Sequence, residues 1–437
     1  MFSSFFKLKE RGTTAKQEVI AGITTFLTMV YIVVVNPIVL HSAGVPFNTV
    51  FMATIIATVV GTLWMALFAN LPIAIAPGMG LNAYFAFSVV GTHTNISYQT
   101  AFGAVFVAGI IFVILSLTPF REKLIEAIPA NLKYGITAGI GLFIAFIGMR
   151  MTGIITAHKE NLVALGDLHS PSVMLALAGL AITLILMALN VNGALFFGMI
   201  ITGIIAYFTH QLKFNGFMSV PAMPKELFIF GNPVTAFADV FQYGLFAVVF
   251  SFLLVTIFDT TGTMVGVAEQ AGLMKNNKMP KAREALLADS VATTVGAALG
   301  TSPTSAYIES TSGVAVGGRT GLTSVTVAVL FIIAAFFSPL VSAISGLSAI
   351  TAPTLIIVGS LMLGALGKIN WEQLDEAFPA FIIILTMPLT SSIATGIAFG
   401  FISYPLLKTA RGKWREVPFL VYLFAVLFFY QLAFLPH

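Results

Sequence analysis

The chain has 437 residues, of which 58% are hydrophobic and 9% charged, and a mean hydropathy of +0.99; soluble chains carry about 25% charged residues. So little charge cannot cover a water-facing surface, which excludes water as the main solvent and predicts a polytopic helical membrane protein. The net charge of +4 comes from Lys and Arg beside apolar spans and reads as loop flanks, not a nucleic-acid surface, while the lack of cysteine excludes disulfides, thiolate metal sites and cysteine nucleophiles.

Residues 1–18, MFSSFFKLKERGTTAKQE, are charged and polar and lack an apolar core with a small-residue cleavage site, so no cleaved signal peptide is expected. Apolar runs bounded by Gly, Pro and charge then predict about fourteen membrane helices. Those of the first half fall at 19–40, 48–68, 72–90, 100–118, 129–150, 172–188 and 193–209. Those of the second fall at 241–265, 285–299, 301–317, 323–345, 350–367, 379–402 and 417–433. The first, GITTFLTMVYIVVVNP (Gly22–Pro37), sets Thr24, Thr25 and Thr28 on roughly one face; their hydroxyls can bond back to the helix or face a ligand. The segments 72–90 and 301–317 differ from the rest: each opens with Pro and Gly or Ser and carries polar residues where Leu and Val are expected. The six histidines (His41, His93, His158, His169, His210, His437) show no paired metal-ligand spacing.

Laying Pro77 on Pro303 gives an offset of 226 residues, which also superposes 19–40 on 245–266, 100–118 on 326–344, and 193–209 on 419–435. One offset shared by four segments predicts a seven-plus-seven repeat, and an odd number of spans per copy inverts the second. Interrupted segments at matching places in inverted halves point to a transporter's midplane site.

With the N-terminus inside, the cytoplasmic face holds Lys7, Lys9, Arg11, Lys16, Arg121, Lys123, Lys133, Lys275, Lys278, Lys281, Arg283, Arg319 and Lys368. The outside holds Arg150, Lys159, Lys213, Lys225, Lys408, Arg411, Lys413 and Arg415. The last four, in KTARGKWRE, sit on the wrong side for a simple fourteen-span count. Either 379–407 is a broken hairpin around Pro388 that returns to the cytoplasm, or the charge rule fails there.

Nearly all acids fall in loops or at segment ends. Asp259, in FDTTGT (Phe258–Thr263), and Glu309, in TSPTSAYIES (Thr301–Ser310), do not, and Asp289 lies near the start of its span. A carboxyl at membrane depth is costly unless paired, protonated or facing a cavity. A packing acid bonded to Ser or Thr is the favoured reading for Asp289, a cavity-facing one for Asp259 and Glu309. In APGMGLNAYF (Ala76–Phe85), Pro77, Gly78 and Gly80 loosen the backbone before a short helix, and Asn82, Tyr84 and Phe85 supply an amide and two aromatic faces. An amide, carboxyls and rings suit a flat neutral ligand rich in N–H and C=O, and repel inorganic anions. A desolvated carboxyl also offers a proton-coupling group, although carboxyls and carbonyls could equally hold Na⁺. GGRTGLTS (Gly317–Ser324) resembles a phosphate loop by composition but lacks the Walker spacing and Lys. No nucleophile–base–orienter set is visible, which argues against an enzyme.

These five motifs resemble the AzgA-like branch of the nucleobase:cation symporter-2 family, the hypoxanthine/guanine/adenine permeases, over essentially the full length. The resemblance implies an all-α membrane fold like that of the uracil permease, with fourteen helices in a seven-plus-seven inverted repeat and short paired strands before helices 3 and 10. It implies a cytoplasmic N-terminus at 1–18, a core domain of helices 1–4 (19–118) and 8–11 (241–345), and a gate domain of helices 5–7 (129–209) and 12–14 (350–433). Carried onto this sequence, the purine site is Asn82, Asp259 and Glu309, with Thr25 added and Tyr84 or Phe85 near the ring. Glu309 is the favoured proton-coupling group and Asp259 the other. The implied partners are a purine nucleobase, a proton and the lipid bilayer of the plasma membrane, with no cofactor; this fold often forms a homodimer through its gate. Rival readings are a uracil, xanthine or urate carrier of the same fold, an anion exchanger, which the two acids oppose, and a receptor that binds purine without moving it.

Overall fold

Nine helices among the described residues are at least 18 residues long and apolar enough to cross a membrane, and two more apolar helices are shorter. In this computed structural model the described residues are 2–90, 96–118, 128–159, 162–212, 216–221, 223, 233–274 and 279–434. Arg121, Lys123, Lys213, Lys225, Lys275, Lys278, His93 and His437, used in the sequence reading, lie outside them.

The first span bends at Val30 and Tyr31 into α1 (Ala15–Met29) and α2 (Ile32–His41). Thr14 caps α1, its hydroxyl accepting from the N–H of Gln17. After α3 (Phe47–Trp64) come β1 (Ile75–Pro77), α4 (Met79–Ala83), α5 (Tyr98–Leu117) and α6 (Ala130–Thr152). An exposed hairpin, β2 (Ile155–His158) and β3 (Leu162–Leu165), precedes α7 (Pro171–Ala188) and α8 (Ala194–Phe208). The second half contains α9 (Pro233–Gln242), α10 (Phe246–Gln270), α11 (Ala282–Leu299), β4 (Thr304–Ala306), α12 (Ser310–Ala315), α13 (Gly321–Ala334) and α14 (Ser338–Ser345). It ends with α15 (Ser348–Met362), α16 (Leu374–Thr390), α17 (Ile393–Ala410) and α18 (Phe419–Phe434).

The two unusual segments are interrupted where Pro77 and Pro303 stand. Neither 72–90 nor 301–317 is a continuous helix; each is a buried strand followed by a short helix, α4 or α12. β1 and β4 pair antiparallel, with Ile75 opposite Ala306, Ala76 opposite Ser305 and Pro77 opposite Thr304. Non-helical backbone survives at membrane depth only where protein satisfies its polar groups. Here Gly78 N–H donates to Pro303 O at 2.9 Å and Tyr307 N–H to Ala74 O at 3.0 Å. The Thr62 hydroxyl accepts from Ile75 N–H at 3.0 Å, and the Ser310 hydroxyl accepts from Ala74 N–H at 3.1 Å.

Packing divides the helices into two groups. Around the strands, α11 packs on α3 and α5, while α13 packs on α1 and α3 and α12 on α1. In the other group α6 packs on α15 and α16, α7 on α8 and α15, and α17 on α16 and α18. Small residues permit the closest approaches: a Cβ on Gly135 would lie 3.0 Å from Ala380 Cα, and one on Gly141 2.6 Å from Met362 Cβ.

The single span expected at 379–402 is instead two antiparallel helices, α16 and α17. The chain reverses at Ser391, which sits at φ 52°, three residues beyond Pro388. Asp375, starting α16, meets the end of α17: its carboxylate lies 3.2 Å from Lys408 Nζ and 3.3 Å from Lys413 Nζ, and pairs with Arg411. Lys408 also bridges Glu376 at 2.7 Å and Glu416 at 3.3 Å. Asn131 Nδ2 donates to Glu376 at 2.7 Å and Asn131 Oδ1 accepts from Asn370 N–H at 2.9 Å. KTARGKWRE therefore returns to the face where α6 and α16 begin, beside Lys133 and Lys368, which removes the charge anomaly of the fourteen-span count. Since the Lys408 side chain is only 4% exposed beside a fully buried Asp375, Lys408→Met is expected to cost about 3–5 kcal/mol by leaving buried carboxylates under-compensated. A thermal-unfolding scan in detergent reads this as a lowered Tm, whereas Glu416→Ala, at a 57% exposed carboxyl, should barely move it.

Candidate functional site at the strand crossing

Glu309 follows β4 and opens α12, Asp259 lies midway along α10, and both are half-buried. Their carboxyls are close enough for the charges to interact. The Ser305 hydroxyl, on β4, lies within hydrogen-bonding reach of Asp259. A Cβ on Gly78 would stand 3.1 Å from that same hydroxyl, so glycine keeps the junction open where β1 passes into α4. Tyr31, at the bend between α1 and α2, donates its hydroxyl to Glu309 Oε1 at 2.6 Å. Thr28 donates to the backbone carbonyls of Thr25, at 2.8 Å, and Glu309, at 3.4 Å. Tyr307 closes the crossing, donating to Pro77 O at 2.6 Å.

One side of this pair is open. Asp259, Gly262 and Gly266 share a face of α10 by their spacing, and a Cβ on either glycine would meet nothing within 4 Å. Ile308, beside Glu309 in the chain, is 54% exposed. The two acids thus stand at the inner end of a free helix face that leads toward the C-terminal end of α10. Two carboxyls and a hydroxyl there can accept and donate hydrogen bonds to a polar, flat molecule.

The other residues expected at the site pack against protein groups in this conformation. Asn82 is fully buried; its Nδ2 donates to Asn36 Oδ1 at 3.1 Å, and Asn36 Nδ2 donates to the hydroxyls of Thr54 at 2.7 Å and Thr301 at 2.8 Å. This knot ties α2, α3 and α4 to the turn before β4. Tyr84 packs edge-on against Phe252 with ring centroids 4.9 Å apart, and Phe85 stacks on Phe102 at 4.5 Å; both rings are buried. Thr25 is buried with its hydroxyl against Gly313, at the close crossing of α1 and α12. Asp289 takes the packing role expected of it: Thr260 donates to one of its oxygens at 2.5 Å and Thr304 to the other at 2.6 Å.

Sequence reasoning missed Tyr31, Ser305 and the burial of Glu18. Glu18 is fully buried and accepts from the N–H groups of Arg319 at 2.9 Å, Thr320 at 3.1 Å and Thr323 at 3.3 Å, and from the Thr323 hydroxyl at 2.6 Å. GGRTGLTS is therefore an anion cradle at the start of α13, filled by the chain's own carboxylate. Nothing in the polar segment 1–18 distinguishes Glu18 from its solvated neighbours, and Tyr31 is a single hydroxyl within an apolar run.

A model of the Permease family (Xan_ur_permease) matches residues 16–399. The guanine/hypoxanthine permease PbuO of Bacillus subtilis (strain 168) is 69% identical over 98% of this chain and 99% of its own length. PbuG, a guanine/hypoxanthine permease of the same organism, is 47% identical over 98% of each chain. The adenine permease AdeP of Escherichia coli (strain K12) is 44% identical over 100% of this chain and 96% of its own. Among solved structures, the transmembrane domain of a cyanobacterium bicarbonate transporter, BicA, superposes with a TM-score of 0.64 at 15% identity, covering 87% of this chain and 96% of that one. SLC26A9 gives 0.61 at 14% identity, covering 91% and 65%. At such identities these two share the fold alone.

Proposed function

Because this chain belongs to the Permease family, in its purine permease branch, we propose that it imports hypoxanthine and guanine, with adenine as a further substrate, by proton symport across the plasma membrane. The observation that carries this reading is the convergence of Asp259 and Glu309 at the strand crossing, at the inner end of an open helix face. A purine presents ring N–H groups that such carboxyls accept, and an inorganic anion presents none. The names of its relatives, guanine/hypoxanthine and adenine permeases, agree with that chemistry.

In this reading the strand-bearing helices of 19–118 and 241–345 carry the purine, and those of 129–209 and 350–433 form the gate against which they move. Glu309 binds the coupling proton, with Asp259 as its neighbour and second contact to the ring. Asn82 supports the site from behind through Asn36. The N-terminus is cytoplasmic, because the return of KTARGKWRE to the face of Lys133 and Lys368 adds four basic residues to that side.

Uptake of radiolabelled hypoxanthine into proteoliposomes under an inward proton gradient tests the proposal. Accumulation abolished by a protonophore, with guanine and adenine competing, is the expected result. Preference for uracil or xanthine would reassign the substrate, and dependence on a Na⁺ gradient would replace the proton. Purine-insensitive movement of sulfate would leave an anion exchanger instead.

A further inference from the structure

We infer that Tyr31 sets which purine edge the site rewards, by committing one oxygen of Glu309; this rests on the purine-carrier reading above. Tyr31 is 1% exposed, its ring is locked in the core at the bend between α1 and α2, and its hydroxyl donates to Glu309 Oε1 at 2.6 Å. One acceptor site of Oε1 is thus taken by protein, which biases a ligand donor toward Oε2.

Guanine carries two parallel donors on one edge, N1–H and an N–H of its 2-amino group, and that edge matches both oxygens of a single carboxylate as a guanidinium does. Hypoxanthine has only N1–H on that edge, and adenine pairs a donor with an acceptor. With Oε1 committed to Tyr31, Glu309 can take one ring N–H, and the extra amino group of guanine gains nothing there. Removing the phenol hydroxyl frees Oε1, and the ionised carboxylate, before it takes up the coupling proton, then presents a two-acceptor edge.

Tyr31→Phe is therefore expected to improve guanine relative to hypoxanthine by about three- to tenfold, the worth of one added hydrogen bond, with no such gain for adenine. The experiment measures the binding of the three bases to purified wild type and variant by calorimetry, and their inhibition of labelled hypoxanthine uptake. Tyr31→Met removes the same donor and decides the matter if Tyr31→Phe gives no monodisperse protein. A guanine-to-hypoxanthine ratio unchanged in the variants, or all three bases weakened by an equal factor, overturns the inference and leaves a packing role for Tyr31. A wild type that binds no purine overturns the underlying functional reading instead, so the two failures are distinct.

Discussion

Glu309→Gln is expected to reduce proton-driven hypoxanthine accumulation to the level of simple equilibration. The substituted amide keeps the shape of the side chain and an oxygen that can accept from Tyr31, so α12 and its 2.6 Å bond need not move. What is lost is a group that gains and releases a proton beside Asp259, together with a charge-assisted contact to the purine. That contact is worth about 1.5–3 kcal/mol, which predicts a fall in kcat/KM of roughly 10- to 150-fold in addition to the loss of coupling. Uptake under an imposed proton gradient and exchange of labelled base without a gradient separate the two effects. If exchange persists while accumulation disappears, Glu309 is the coupling group. Full accumulation in the variant would move that role to Asp259, for which Asp259→Asn is the corresponding measurement.

Glu18→Ala is expected to lower stability as much as any substitution outside the site. The substitution removes the acceptor for the N–H groups of Arg319, Thr320 and Thr323 in a fully buried place. Each unsatisfied buried donor costs about 1–3 kcal/mol, and partial entry of water brings the expected loss to about 3–5 kcal/mol. The consequence reaches the site, because the same N-terminal segment holds the far end of α12. Gln17 Nε2 donates to Val316 O at 3.2 Å, Thr13 to Gly317 O at 3.5 Å, and Arg319 Nη1 to Val314 O at 2.6 Å. Arg11 Nη1 adds bonds to Asn70 O and Arg319 O, each 2.7 Å. A lowered Tm in detergent, with faster hydrogen exchange at the amides of Thr320 and Thr323, is the expected outcome. Glu18→Gln should fall between, since its amide keeps one acceptor but points two donors into a ring of donors. Unchanged Tm and exchange in Glu18→Ala would mean that water replaces the carboxylate at no cost.

Composition alone determined that this is a membrane protein, because hydropathy is a sum over residues and needs no partner. Local composition flagged the interruptions: Pro77 and Pro303 lack the N–H a helix donates and stand among Gly, Ser and Thr, whereas α2 and α16 run through prolines set in apolar surroundings. Asp259 and Glu309 stood out because a carboxyl within an apolar run is costly in any arrangement. The resemblance supplied the strand pairing, and the β1–β4 register is its realisation.

The tertiary structure decided what depends on partners far along the chain. Tyr31 lies 278 residues from Glu309, and Glu18 lies 305 from Thr323; no local pattern joins such pairs. Asn82 has the composition of a ligand contact, yet its amide pairs with Asn36, because the fold packs α4 more closely on α2 than on α10. Pro388 read as the break in a long span, but α16 runs through it and the reversal comes at Ser391, whose left-handed backbone no propensity required. The reversal is fixed by the ends it brings together, where Asp375 and Glu376 meet Lys408. Burial and local sterics are written residue by residue in a sequence; the choice of partner is a property of the packed whole, and with it the assignment of each polar group to scaffold or site.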